Sequence, residues 1–138
     1  METVKSADGT AIAYERVGQG PPLVLVHGTG GGRTRWARVV PSLANHYTIY
    51  NVDRRGRGGS GDADSYDLAR EVEDILALLV AIGEPVHLFG HSYGAIGCLE
   101  AARLAGNLRS LLLYEPPFTT GADRVPPDLG DRLATLLA

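Results

Sequence analysis

The chain has 138 residues, 44% of them hydrophobic and 21% charged, and a formal net charge of −3, which suits one ordinary domain with a packed core. This balance offers no basic footprint for nucleic acid and no polybasic segment for an anionic membrane surface, and no apolar stretch is long enough to span a bilayer. Residues 1–10 are polar and lack the apolar run of a signal peptide, and Cys98 is the sole cysteine, so no internal disulfide forms and the expected setting is reducing and cytoplasmic.

Residues 3–6 and 11–16 read as two strands joined at Asp8-Gly9, a hairpin signal. After Gly18-Gln19-Gly20-Pro21-Pro22, the run Leu23-Val24-Leu25-Val26 is continuously apolar, as a strand covered on both faces must be. It empties into the glycine-rich loop His27-Gly28-Thr29-Gly30-Gly31-Gly32. Thr34 is placed to cap a short helix through Val40, with Pro41 bending or restarting it. Residues 47–52 form the next strand, and Asp53-Arg54-Arg55-Gly56-Arg57-Gly58-Gly59-Ser60-Gly61 a long turn. A helix is expected from Asp64 or Ser65, with Asp67, Glu71, Glu73 and Asp74 where the helix dipole favours acids. Leu68, Val72, Ile75, Leu76, Leu79 and Ile82 give it one apolar face, and Gly83 stops it. Residues 86–89 then read as a strand, 93–104 as a helix and 108–114 as an apolar strand. Residues 121–128 read as loop, and a further helix begins near Asp128. Strands alternating with helices after a hairpin imply an α/β architecture around a mostly parallel sheet.

Gly90-His91-Ser92-Tyr93-Gly94 sits between the strand 86–89 and the helix that follows, the layout of a G-x-S-x-G nucleophile elbow. With 18 glycines in the chain the bare pattern is weak; the strand before it and the helix after it carry the reading. Side chains at 90 and 94 would collide in so tight a turn. Ser92 is the expected nucleophile, useful only beside a base and oxyanion donors. The Tyr93 N–H, at a helix N-terminus, is one such donor. The competing reading of Ser92 is a turn serine on a non-catalytic scaffold. Gly30-Gly31-Gly32 lacks the G-K-[ST] ending of a phosphate loop. No histidine pair has metal-ligand spacing, so neither a metal nor another cofactor is expected. Arg33, Arg35 and Arg38 read as a solvated helix face, and Asp53, Arg54 and Arg57 as residues that hold their turn together. Trp36 and Phe118 either line a pocket or simply pack.

Four stretches together resemble the N-terminal part of the α/β-hydrolase fold family. They are Leu23-Val24-Leu25-Val26-His27-Gly28, the D-x-R-G-x-G-x-S turn at residues 53–60, the elbow, and Leu111-Leu112-Leu113-Tyr114-Glu115-Pro116-Pro117, in that order. The resemblance implies an α/β-hydrolase fold, a mostly parallel sheet with helices on both faces, incomplete in this chain. Residues 1–120 would be the N-terminal part of the core and 121–138 the start of a cap. It assigns the second oxyanion donor to the N–H of Thr29, a loop-bracing role to His27 and a packing role to His91. It makes Glu115, at a strand's carboxyl end, a candidate acid, with an acid beyond residue 138 as the alternative. In the family the triad runs Ser, then Asp or Glu, then His, yet all four histidines precede Ser92. The expected partner is therefore the C-terminal remainder of the fold, as a second chain or further segment, bringing acid, histidine and the last strands. The implied activity is acyl transfer from a small ester, thioester, lactone or cleavable ketone. The alternatives are a cofactor-free perhydrolase and a non-catalytic module that binds a small molecule.

Overall fold

A computed structural model describes residues 1–118. The residues expected to open a cap, 121–138, lie outside that range. The hairpin forms as the turn residues suggest, from β1 (Glu2–Lys5) and β2 (Ala11–Val17). The turn is closed by the Thr10 N–H on the Asp8 carboxylate at 2.9 Å. Next come β3 (Pro22–Val26), a single 3-10 turn (Arg33–Trp36), α1 (Val40–Leu43), β4 (Thr48–Val52), α2 (Leu68–Ile82), β5 (Val86–His91), α3 (Tyr93–Ala102) and β6 (Leu108–Tyr114).

The six strands form one sheet in the order β1-β2-β4-β3-β5-β6. β1, β2 and β4 pair antiparallel, while β4-β3, β3-β5 and β5-β6 are parallel. After β3 the chain moves to one side to form β4. It then returns to form β5 on the other. β3 and β5 therefore flank the point where strand order reverses, and the crevice at their carboxyl ends is where open α/β sheets bind ligands.

Alternation along the strands divides the core in two. Val24 and Val26 of β3, Val52 of β4 and Leu88 of β5 face α2 and α3, against Val72, Ile75, Leu78, Leu79, Cys98 and Ala101. Each such leucine stabilises the fold by roughly 1.5–3 kcal/mol relative to exposure. Leu23, Leu25 and Ile49 face the other way, into a smaller cluster with Trp36, Val40, Leu43 and Phe89. α2 starts three to four residues later than the sequence suggests. Asp67, in extended backbone, is its cap and accepts the Arg70 N–H at 2.9 Å, so the first helical residue is Leu68. It ends where expected, at Gly83, whose φ of +70° suits glycine and whose N–H donates to the Leu79 carbonyl. Thr34 caps nothing. The Asp53 carboxylate accepts the Arg33 N–H at 3.0 Å, which anchors a 3-10 turn in place of the expected helix. Pro41 then stands in the first turn of the four-residue α1. None of the described helices is long and apolar enough to cross a membrane.

Candidate active site

Ser92 lies between the end of β5 and the start of α3 with φ 52° and ψ −124°. A serine in this backbone region costs about 1–3 kcal/mol and persists only where its surroundings enforce it. Here its N–H donates to the Tyr114 carbonyl and its carbonyl accepts the Ala95 N–H, both at 2.9 Å. A Cβ on Gly90 would stand 2.6 Å from Ala95 Cα, and one on Gly94 would stand 2.4 Å from the His27 carbonyl oxygen. Both approaches involve backbone, so neither neighbour gives way easily, and the turn requires glycine at each end.

The same packing brings the β3 loop to the elbow. Val26 pairs with Gly90 across the parallel ladder, and a Cβ on Gly28 would lie 2.9 Å from Ser92 Cβ. Thr29 follows directly and is exposed; among the described residues its N–H meets no backbone carbonyl. Tyr93 is the first residue of α3, so its N–H has no partner inside the helix. Ser92 and the two loop segments proposed to donate to an oxyanion thus share one strand-end crevice.

Both neighbouring histidines are held by other contacts. His27 is fully buried. Its Nε2 accepts the Arg54 N–H at 3.2 Å, so the proton sits on Nδ1, which donates to the Gly28 carbonyl at 2.8 Å. Burial pushes its pKa below the ordinary value, more than the Gly28 carbonyl raises it. His91 points to the other side of the sheet. Its ring stacks on Tyr114 (5.3 Å between centroids) and meets Trp36 edge-on (6.0 Å). His87 bonds the Ser110 hydroxyl at 2.7 Å, and His46 is exposed. Glu115 caps the end of β6 with φ 50°. It is mostly exposed, and its carboxylate faces His91 Nε2 at the long distance of 3.9 Å.

The turn after β4 does more than hold itself together. Asp53 is buried and accepts the N–H groups of Arg33 and Gly59 and the Arg33 guanidinium. Burial works to raise its pKa, but these donors outweigh it and hold the carboxyl below the ordinary value. Arg33 is therefore not part of a solvated face, although Arg35 and Arg38 are exposed. Arg54 pairs with Glu71, and Arg55 pairs with Asp74 at 2.7 Å and Asp8 at 2.9 Å. Glu71 and Asp74 are thus more than dipole-compensating acids; they clip α2 to the turn. Their helical phase was the missed signal. Both fall on the same side as Val72, Ile75 and Leu78, and a carboxylate on a buried face needs a cationic partner. Arg57, by contrast, has an exposed side chain that bonds the neighbouring Gly56 carbonyl, and it holds the turn through its backbone, donating to the Arg54 carbonyl and accepting the Ser60 N–H.

Trp36 packs edge-on against Phe89 at 5.4 Å, and it also borders a groove of about 1270 Å³ with Leu25, Phe89, Leu112 and Tyr114. Neither Ser92 nor Thr29 lines that groove, which is an open part of the sheet's second face, but it reaches the residues beside them, Gly30, Gly31 and Gly32 of the β3 loop and His91 of β5. Phe118 is exposed and does not line that groove.

Comparison with known proteins agrees with this fold. The model of the alpha/beta hydrolase family matches residues 23–138. A pimeloyl-[acyl-carrier protein] methyl ester esterase of Aeromonas hydrophila is 40% identical over 98 residues, which are 69% of this chain and 36% of that protein. A probable oxidoreductase, EphD, of Mycobacterium tuberculosis is 37% identical over 110 residues, 75% of this chain and 19% of that one. Among solved structures, an alpha/beta hydrolase from Sphaerobacter thermophilus superposes with a TM-score of 0.84 at 44% identity, covering 99% of this chain and 54% of its own. An esterase from a Rhodococcus species gives 0.76 at 34% identity, covering 81% and 44%. The chain therefore spans well under half the length of these two curated relatives and about half that of these two structures. Within that span, the family match, the sheet order and the strand-end elbow agree: the chain belongs to the alpha/beta hydrolase family.

Proposed function

We propose that this chain is the nucleophile-bearing part of a serine esterase. The observation that carries the reading is Ser92 in a strained left-handed turn, with Gly28 of the neighbouring strand-end loop packed against its Cβ. Ser92 Oγ attacks the ester carbonyl carbon, and its proton passes to a histidine. The tetrahedral oxyanion is held by the N–H groups of Thr29 and Tyr93. Collapse expels the alcohol, and water then hydrolyses the acyl-enzyme. Esterases among the similar proteins support an ester over the other acyl substrates.

His27 and His91 are committed to other contacts, so the base is assigned to the C-terminal remainder of the fold, together with the acid. That remainder adds a strand to β6 and covers the groove beside Trp36. A serine-directed phosphonate on the complete protein tests the reading. Labelling that disappears in Ser92→Ala supports it. A folded, complete protein that turns over esters equally well after Ser92→Ala would refute it.

A further inference from the structure

The turn pattern D-x-R-G-x-G-x-S leaves its second position open, and here that position is Arg54. Its side chain runs away from the turn toward the elbow. Nε donates to Glu71 Oε2 at 2.6 Å, and Nη2 pairs with Glu71 Oε1, a bidentate contact. Tyr66 donates its hydroxyl to the same carboxylate at 2.6 Å. The guanidinium carbon stands 4.9 Å from the centre of the Tyr93 ring, within cation–π range. Nη1 reaches the His27 carbonyl at 3.5 Å, and the Arg54 N–H bonds His27 Nε2. One residue therefore touches both segments that carry the proposed oxyanion donors, the β3 loop through His27 and the start of α3 through Tyr93.

The pair is largely out of water, with side-chain exposures of 11% for Arg54 and 3% for Glu71. A buried ion pair adds little net stability compared with apolar packing, so its main consequence here is geometric. The His27 carbonyl also abuts Gly94, which leaves little room for the two segments to slide apart while Arg54 bridges them. We propose that Arg54, held by Glu71, is a positioning residue that fixes the Thr29 and Tyr93 N–H groups relative to one another. This rests on the oxyanion assignment made above. Three of the five guanidinium N–H donors of Arg54 are engaged by Glu71 and His27 and the side chain is only 11% exposed, so it acts through these segments and not by contact with substrate.

The first test is made on the 138-residue chain and needs no activity. Backbone amide order parameters are measured by NMR at Thr29 and Tyr93, with Val24 and Leu88 as strand references. In the wild type both sites are expected near the rigid value of about 0.85, and Arg54→Met is expected to lower both toward about 0.6 without moving the references. Arg54→Lys keeps a cation over Tyr93 but loses the fork. It is expected to loosen Thr29 and spare Tyr93, and it stands as the test by itself if Arg54→Met does not fold. Unchanged values at both sites in either folded variant would overturn the proposal. The second test uses the complete enzyme. Arg54→Met should lower kcat about tenfold or more with KM within about twofold, as expected for misplaced catalytic groups, and Arg54→Lys, which loosens one donor only, should fall between Arg54→Met and the wild type. Turnover that survives Ser92→Ala would sink the esterase reading instead, leaving the NMR result to judge Arg54.

Discussion

The two faces of the sheet differ in how far they are covered. Against α2 and α3, Val24, Val26, Leu78, Leu79 and Leu88 are all buried. On the second face, Leu23, Leu25 and Ile49 are buried under Trp36, Val40 and Leu43, but cover runs out toward β6. Leu112 and Tyr114 are 47% and 51% exposed, beside the groove of about 1270 Å³. Four buried polar side-chain atoms have no partner among the described residues: Ser6 Oγ, and on the second face Trp36 Nε1, His91 Nδ1 and Asn51 Oδ1. Strands that are apolar on both sides call for two covered faces. The first 118 residues complete one of them.

This contrast can be broken most strongly where α2 is clipped to the sheet. Arg55 has no exposed side-chain surface and pairs with Asp74 and Asp8. Asp74→Asn leaves its charge under-compensated and should destabilise the chain by about 3 kcal/mol or more; an unchanged urea midpoint would show that the clip is dispensable. Slightly less costly is Leu78→Ala on the covered face, expected at about 3 kcal/mol by denaturant unfolding. A cost below about 1 kcal/mol would mean that α2 packs more loosely than its burial implies.

Acid should weaken the fold in two steps. His27 titrates below its ordinary value of 6.5 because burial disfavours its charged form. Its contribution is present above pH 6.5 and is lost as pH falls through the lowered value. Asp8 and Asp53 titrate below 3.8, Asp8 chiefly through the Thr10 N–H and then Arg55, and Asp53 through Arg33 and Gly59 against the opposing effect of burial. Their contributions are present above pH 3.8 and are lost as pH falls further. Urea midpoints measured from pH 8 to pH 3 should therefore decline below neutrality and again below about pH 4. A flat profile between pH 8 and pH 5 would remove His27 from the account. The smallest effect is expected on the open face. Leu112→Ala should change the stability of the 138-residue chain by under about 0.5 kcal/mol. The same substitution should cost clearly more once a C-terminal part covers β6. Equal costs in the two settings would place the partner elsewhere.

Much of this molecule is written in local pattern. The continuous apolar run Leu23-Val24-Leu25-Val26 announces a strand covered on both sides, and Gly83 announces the end of α2. Gly90 and Gly94 around Ser92 announce a turn too tight for side chains, because steric exclusion acts within a few residues. The matching family model and the sheet order agree with the hydrolase fold those patterns imply. Tertiary structure decided what depends on distant partners. It tied Arg33 to Asp53 across 20 residues. It also turned Glu71 and Asp74 from helix-end acids into buried counterions for Arg54 and Arg55. Helical phase marks a carboxylate as buried, but only the packing of α2 on the turn after β4 determines which cation meets it. For the same reason the elbow is legible from five residues, while the bracing of its two neighbouring segments by Arg54 becomes visible only in three dimensions.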